Sequence, residues 1–300
     1  MTAATSLKSP AAAATRYVTE QNLTDIVLNR WQDIPDPRLR EVMGALIRHL
    51  HGFVREIEPT NAEWFQAIDW LTRTGQISDS KRQEMILFSD VTGVSMLVDA
   101  INHRFKDGAT PTTVEGPFHV ADAPHISDGG NMAKGAPGIP CFVTGTVRDM
   151  SGNPVGNAML DLWQTDGEGL YESQRNTDEP WMRGIFHSKA DGSYCVRTVV
   201  PIAYTIPMDG TVGELVSRTN VSHMRPAHIH FAVEAPGYRK VTTHLFRDGD
   251  EYLDSDAVYG VKKALIVDFI EKQPGKAPNG ETMSEPYYEV RYDFILQKAD

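Results

Sequence analysis

Tyr287-Tyr288-Glu289-Val290-Arg291-Tyr292-Asp293-Phe294-Ile295-Leu296 sets Tyr288, Val290, Tyr292, Phe294 and Leu296 against Glu289, Arg291 and Asp293. Successive side chains of a strand point to opposite faces, so this alternation predicts a strand with one apolar side. The same period recurs upstream. Residues 142–147 and 159–163 read as strands, with the turn Ser151-Gly152-Asn153-Pro154 between them; 193–200, 228–233 and 240–246 read as three more. Short strands joined by Gly- and Pro-rich connections predict a β-sandwich.

Before about Pro111 the period changes to that of a helix. Pro37 can open a helix carrying Leu39, Val42, Met43, Leu46, Ile47, Leu50, Phe53, Val54 and Ile57, whose steps of three and four form one stripe. Thr60 and Glu63 make a capping box ahead of Trp64, Phe65, Ile68 and Leu71, with Gly75 as the expected stop. Further helices are expected over 23–31 and from about 80 to 104, the latter broken near Gly93. The expected fold is α+β, mainly β: a flexible arm at 1–15, a helical region at 16–110 and an antiparallel β-sandwich at 111–300.

The 300 residues are 41% hydrophobic, which is ample for a core. With 29 Lys and Arg against 40 Asp and Glu the net charge is −11, which argues against nucleic acid or an anionic membrane as the main partner. No apolar run of membrane-spanning length is present, and the alanine-rich opening lacks the apolar stretch of a signal peptide, so a cytoplasmic protein is expected. Cys141 and Cys195 both sit in apolar runs and are expected to be buried free thiols.

The strongest chemical signal is Arg225-Pro226-Ala227-His228-Ile229-His230. Two residues apart on a strand, both imidazoles face one way and can meet one metal ion. Two completions are open. Glu234 would give His-x-His-x-x-x-Glu, a cupin-like ferrous skeleton, although Ser222 stands where a cupin carries glycine and no second cupin half follows. Alternatively Tyr171 and Tyr204, at strand ends or loops, supply phenol oxygens. A metal-free sandwich that binds small ligands would need neither.

Glu115-Gly116-Pro117-Phe118, Gly169-Leu170-Tyr171, Pro201-Ile202-Ala203-Tyr204 and the 225–230 run occur in the order and contexts of the intradiol ring-cleaving dioxygenases. The chain resembles that family over nearly its whole length, and its hydroxyquinol-cleaving branch most. The resemblance implies one Fe(III) per subunit, held by Tyr171, Tyr204, His228 and His230. A phenol titrates near pH ~10, so a tyrosine ligand at neutral pH calls for a strong Lewis acid, which a trivalent iron is. Tyr204 would leave the metal and take up a substrate proton, and Arg225 would stabilise developing charge. His244 is expected beside the ligands rather than among them.

By the same resemblance the substrate pocket is walled by Leu87, Asp90, Val114, Gly116, Pro117 and Phe118, with Ile206, Pro207, Val258, Arg225 and His244. Asp90 either accepts a hydrogen bond from the third hydroxyl of hydroxyquinol or caps the following helix. The implied reaction is hydroxyquinol (benzene-1,2,4-triol) plus O₂ giving maleylacetate, with catechol or chlorocatechol as the alternative substrate. The family further implies a homodimer joined through the N-terminal helices, with lipid bound there.

Overall fold

Strand β1 (Pro140–Asp149) buries one whole face, Cys141, Val143, Gly145, Val147 and Asp149, and leaves most of the other partly covered. In the computed structural model, which describes residues 17–79, 82–175 and 179–299, β1 lies inside a five-stranded sheet. It pairs antiparallel with β4 (Ser193–Val199) and parallel with both β13 (Tyr287–Arg291) and β14 (Phe294–Leu296), while β10 (Ile270–Lys272) flanks β13. The single strand expected over 287–296 is thus two, broken at Tyr292 and Asp293. The cause is local. Tyr292 N donates to Thr144 O at 2.9 Å, and Thr146 N donates to the Asp293 carboxylate at 2.8 Å. The alternation survives the break, because Val290, Phe294 and Leu296 all enter the core with Tyr288 and Tyr292 packed against it.

The second sheet runs β3 (Arg183–His187), β2 (Met159–Trp163), β7 (His228–Glu234), β8 (Val241–Arg247) and β9 (Ile266–Val267). Leu160, Leu162, Ile229, Phe231, Val233 and Leu245 from this sheet share one buried cluster with Val143, Val196 and Phe294 of the first. That is the expected sandwich, with parallel pairings of β1 with β13 and β14 and of β8 with β9 inside a mainly antiparallel frame. Three ribbons and turns were not foreseen: β5 (Tyr204–Thr205) with β6 (Met224–Arg225), β11 (Gly275–Lys276) with β12 (Thr282–Met283), and the short helix α6 (Thr211–Val216).

The chain divides into two compact units, one ending at Trp70 and one beginning at Leu71. In the first, α1 (Leu23–Arg30) is tied to α2 (Pro37–Ile57) by Thr24 Oγ1 against His51 Nδ1 at 3.0 Å and by Arg55 donating to Thr24 Oγ1 at 2.8 Å. Asp36 caps α2 by accepting from Arg38 N and Leu39 N. The Thr60–Glu63 capping box closes at the head of α3 (Asn61–Gln76), with Thr60 N donating to Glu63 at 2.7 Å. Gly75 does not stop α3, which runs on to Gln76. Its last turn is closed by Ile77 N donating to Arg73 O and is anchored by the buried hydroxyls of Thr74 and Thr211, 2.7 Å apart. Gly93, at φ +74°, does break the next stretch into α4 (Glu84–Val91) and α5 (Val94–Asn102). The arm expected at 1–15, and Ser80 and Lys81, lie outside the described residues. Cys141 and Cys195 are free and buried as expected.

Candidate active site and metal centre

On β7 the odd positions face the inter-sheet core, which leaves His228 and His230 on the opposite face. Cross-strand register lines up Trp163 of β2, His230 of β7 and His244 of β8, so the three rings form a row. Trp163 stacks on His230 at 4.7 Å between centroids, and His244 lies 4.1 Å from His230 on the other side. This outer face is not solvent-exposed. Loops bearing Phe118, Tyr171 and Tyr204 cover it and form a second buried apolar cluster with Trp163 and Ala232.

Tyr171 arrives on the loop after β2. The buried Asp166 carboxylate shapes that loop by accepting from Glu168 N, Leu170 N, Arg175 Nε and Trp181 Nε1. Tyr171 N donates to Gln174 Oε1 at 3.0 Å, and Phe118 stacks on the phenol ring at 4.4 Å. Tyr204 opens β5, directly opposite Arg225 on β6. These two placements bring four donor atoms together. Tyr171 Oη lies 3.0 Å from Tyr204 Oη, 2.9 Å from His230 Nε2 and 3.4 Å from His228 Nε2. The two Nε2 atoms are 3.1 Å apart, and Tyr204 Oη is 3.4 Å from His228 Nε2.

Donors that share one transition-metal ion at about 2 Å lie about 3 Å from one another, so this set fits a metal. The protonation states agree. His228 Nδ1 is hydrogen-bonded at 2.6 Å to Pro226 O, which places its proton there and leaves the Nε2 lone pair for a cation. Burial pulls the His228 pKa down to about 3 and that of His230 well below its usual value, so both rings are neutral. Burial also raises both phenols above their usual range, Tyr171 the further, and Arg225 opposes this at Tyr204. Only a cation in their midst would draw those protons off at neutral pH.

His244 stands with His228 and His230 in the cluster of metal-competent histidines. Its Nδ1 is held by Thr113 Oγ1, while its Nε2 and the His230 Nδ1 have no hydrogen-bond partner among the described residues. Glu234 does not join them. It is exposed at the far end of β7, four residues or about 13 Å along the strand from His230.

Beside the four donors, Leu87, Asp90, Val114, Gly116, Pro117 and Phe118 line one small cavity with Ile206, Pro207, Val258, Tyr204 and Arg225. A larger, open cleft beside α6, lined by Arg73, Met208 and Glu214 among others, holds none of the donors. Gly93, the N-cap of α5, has no side chain to cap it, and the Asp90 carboxyl reaches the first turn of that helix through Ser95. Asp90 as a residue is 1% exposed, with Oδ2 unpartnered. Burial raises its pKa, partly offset by a hydrogen bond from Ser95 and the charge of Arg225.

Arg225 is buried with its Nη1 3.4 Å from Tyr204 Oη and its Nε donating to Asp256 Oδ1 at 3.0 Å. Burial opposes its charge, but Asp256 and the two phenols outweigh that and hold it protonated. Asp256, Asp166, Thr113 and Trp163 were not singled out from sequence. Only Trp163 carried a signal, since it ends an expected strand that register sets beside His230.

Residues 114–298 match the family described as "Dioxygenase", and 36–110 match "Catechol dioxygenase N terminus". The sandwich, the phenol–imidazole centre and these matches agree: the chain belongs to the intradiol ring-cleaving dioxygenases. It is 46% identical to a 6-chlorohydroxyquinol 1,2-dioxygenase of Cupriavidus pinatubonensis, covering 92% of this chain and 97% of that protein. A hydroxyquinol 1,2-dioxygenase of Nocardioides simplex is 44% identical, over 97% of this chain and 100% of the relative. Among solved structures, a hydroxyquinol 1,2-dioxygenase from Pseudomonas putida superposes with TM-score 0.86 at 46% identity, covering 93% of this chain and 99% of that one. A catechol 1,2-dioxygenase from Pseudomonas arvilla gives 0.81 at 28% identity, covering 93% and 92%.

Proposed function

We propose that this dioxygenase inserts both atoms of O₂ into hydroxyquinol, opening the ring between adjacent hydroxyls to give maleylacetate in its enol form, 3-hydroxy-cis,cis-muconate. The observation that carries the substrate choice is Asp90: a buried carboxyl with an unpartnered oxygen, in a wall whose other charged or hydroxyl-bearing side chains are Arg225 and Tyr204. A ring with a third hydroxyl satisfies that oxygen, and a plain ortho-diol leaves it orphaned. The names of the relatives support the same choice.

One Fe(III) per subunit would be held by Tyr171 Oη, Tyr204 Oη, His228 Nε2 and His230 Nε2. Bound there, it would supply the Lewis acidity that lets an ortho-diol bind deprotonated, and the electron-rich ring of that diolate is what O₂ attacks. The remaining work falls to the chain. Tyr204 Oη takes up a proton from the incoming diol. The Arg225 guanidinium, with Nη2 unpartnered beside the cavity, stabilises negative charge as it develops on the ring. Val114, Pro117, Phe118 and Ile206 exclude water, and His244 orders the ring row without binding metal.

Residues 16–110 serve assembly and lend Leu87 and Asp90 to the pocket wall, while 111–300 carry the metal donors and the rest of the chemistry. Leu39, Val42, Leu46, Leu50, Phe53, Val54 and Ile57 are each about half exposed along α2, and Trp64, Phe65 and Ile68 likewise on α3. A stripe this continuous supports a homodimer with lipid between its apolar faces. No described helix is long and apolar enough to cross a membrane, and a cytoplasmic location is part of this reading.

A substrate panel with product identification tests the proposal. Hydroxyquinol should exceed catechol in kcat/KM by about 5- to 150-fold, the worth of one buried hydrogen bond at 1–3 kcal/mol. Preference for catechol or a chlorocatechol would move the chain to the other branch of its family.

A further inference from the structure

Arg225 is the only guanidinium lining the cavity among the described residues, and its orientation is not set by its own strand. The ribbon that carries it is two residues long, and a guanidinium on a flexible stem samples many rotamers unless it is held. Asp256 holds it. That carboxylate is 2% exposed at the side chain and accepts from three donors: Arg225 Nε at 3.0 Å, Val258 N at 3.3 Å and Gly260 N at 2.8 Å. Burial opposes the charge of Asp256, and Arg225 outweighs it. The segment is fixed in turn by Ala257 N donating to Met224 O at 2.9 Å, next to Arg225 itself. One carboxylate therefore joins the guanidinium to the turn that puts Val258 into the cavity wall.

We propose that Asp256 is a positioning residue for ring opening: it locks Arg225, a residue of the cavity wall, so that Nη1 meets Tyr204 Oη. This rests on the intradiol reading for its kinetic consequence but not for its geometry. A guanidinium that stabilises charge only as the ring reacts must already be in place, and a shift of about 1 Å can cost about 100-fold. Gly260 tightens the fit, because a Cβ there would lie 3.1 Å from Asp256 Oδ2 and 3.4 Å from Arg225 Nη2.

The test compares iron-loaded wild type, Asp256→Asn, Arg225→Gln and the double variant in kcat and KM on hydroxyquinol. Asp256→Asn should lower kcat about 10- to 100-fold with KM within about threefold, and should add almost nothing in the Arg225→Gln background. Gly260→Ala, which crowds the carboxylate without removing it, should give a smaller loss of the same kind and covers the case in which Asp256→Asn does not fold. A wild-type kcat in both variants, or an Asp256→Asn loss as large without Arg225 as with it, overturns the proposal. A crystal structure of full-length Asp256→Asn reads the geometry separately: Arg225 should swing away from Tyr204, and an unmoved guanidinium overturns the proposal even if wild type opens no diol. Failure of wild type to open any diol counts instead against the intradiol reading.

Discussion

Asp90→Val separates the two roles a buried carboxyl can play. In the free protein Asp90 is 1% exposed, its Oδ2 has no partner, and burial pushes its pKa up, so its presence costs stability. An unsatisfied buried polar atom costs about 1–3 kcal/mol, and the bond from Ser95 returns about 1 kcal/mol of that. Replacing the carboxyl with a methyl pair of similar shape should leave the metal-free protein as stable as wild type, or up to about 2 kcal/mol more so. That is a rise of a few degrees at about 2–4 °C per kcal/mol. With hydroxyquinol the sign reverses. The third hydroxyl loses its acceptor, and kcat/KM should fall about 5- to 150-fold, while catechol, which never used the acceptor, should stay within about threefold. Oxygen-uptake kinetics on both substrates, paired with thermal melts, reads both effects. Equal losses on the two substrates would refute the specificity argument, and a drop of several degrees would show that the Ser95 bond makes Asp90 structural.

Three further outcomes follow from other parts of the molecule. A Cβ at Gly145 would fall 1.7 Å from Tyr292 O, so Gly145→Ala must part β1 from the 292–293 break; a loss above about 3 kcal/mol is expected in urea titration, and an unchanged midpoint contradicts the packing. The His119 pKa is raised, chiefly by the hydrogen bond from its Nε2 to Asp161 Oδ2 at 2.9 Å, and burial opposes this. A raised folded pKa gives stability that is full below the unfolded value near ~6.5 and is lost as pH rises through the folded value, so His119→Gln should cost more at pH ~6 than at pH ~9. An equal cost at both would show that the charge is irrelevant. Replacing Leu46 and Leu50 together with arginine should halve the mass seen by light scattering, and an unchanged mass removes α2 from the interface.

The parts legible in sequence were those with strong local period or chemistry. Alternation found β2 to the residue, β4, β7 and β8 within one and β1 within two, because each strand commits one face to the core and cannot tolerate a slip in register. The Thr60–Glu63 box and the Gly93 break are local rules that the structure obeys. Gly75 falls one residue short of the end of α3, whose last turn also holds a contact no local rule states, Thr74 to Thr211, 137 residues apart. Parallel pairing of β13 and β14 with β1 was illegible for the same reason: nothing in 287–296 states which strand it will lie beside. At the centre, residues with rare chemistry stood out, whereas those that aim them did not. Asp166 and Asp256 look like any aspartate in a polar loop, and only the converging donors reveal their task.

Visible absorption and resonance Raman spectra of the Fe(III)-loaded protein, taken on wild type, Tyr171→Phe and Tyr204→Phe, bear most directly on the phenol–imidazole iron centre. Wild type should be coloured by phenolate-to-iron charge transfer with tyrosinate vibrations in resonance, and each substitution should remove part of that band. A colourless protein that takes up no iron, or a spectrum that neither substitution changes, would contradict it.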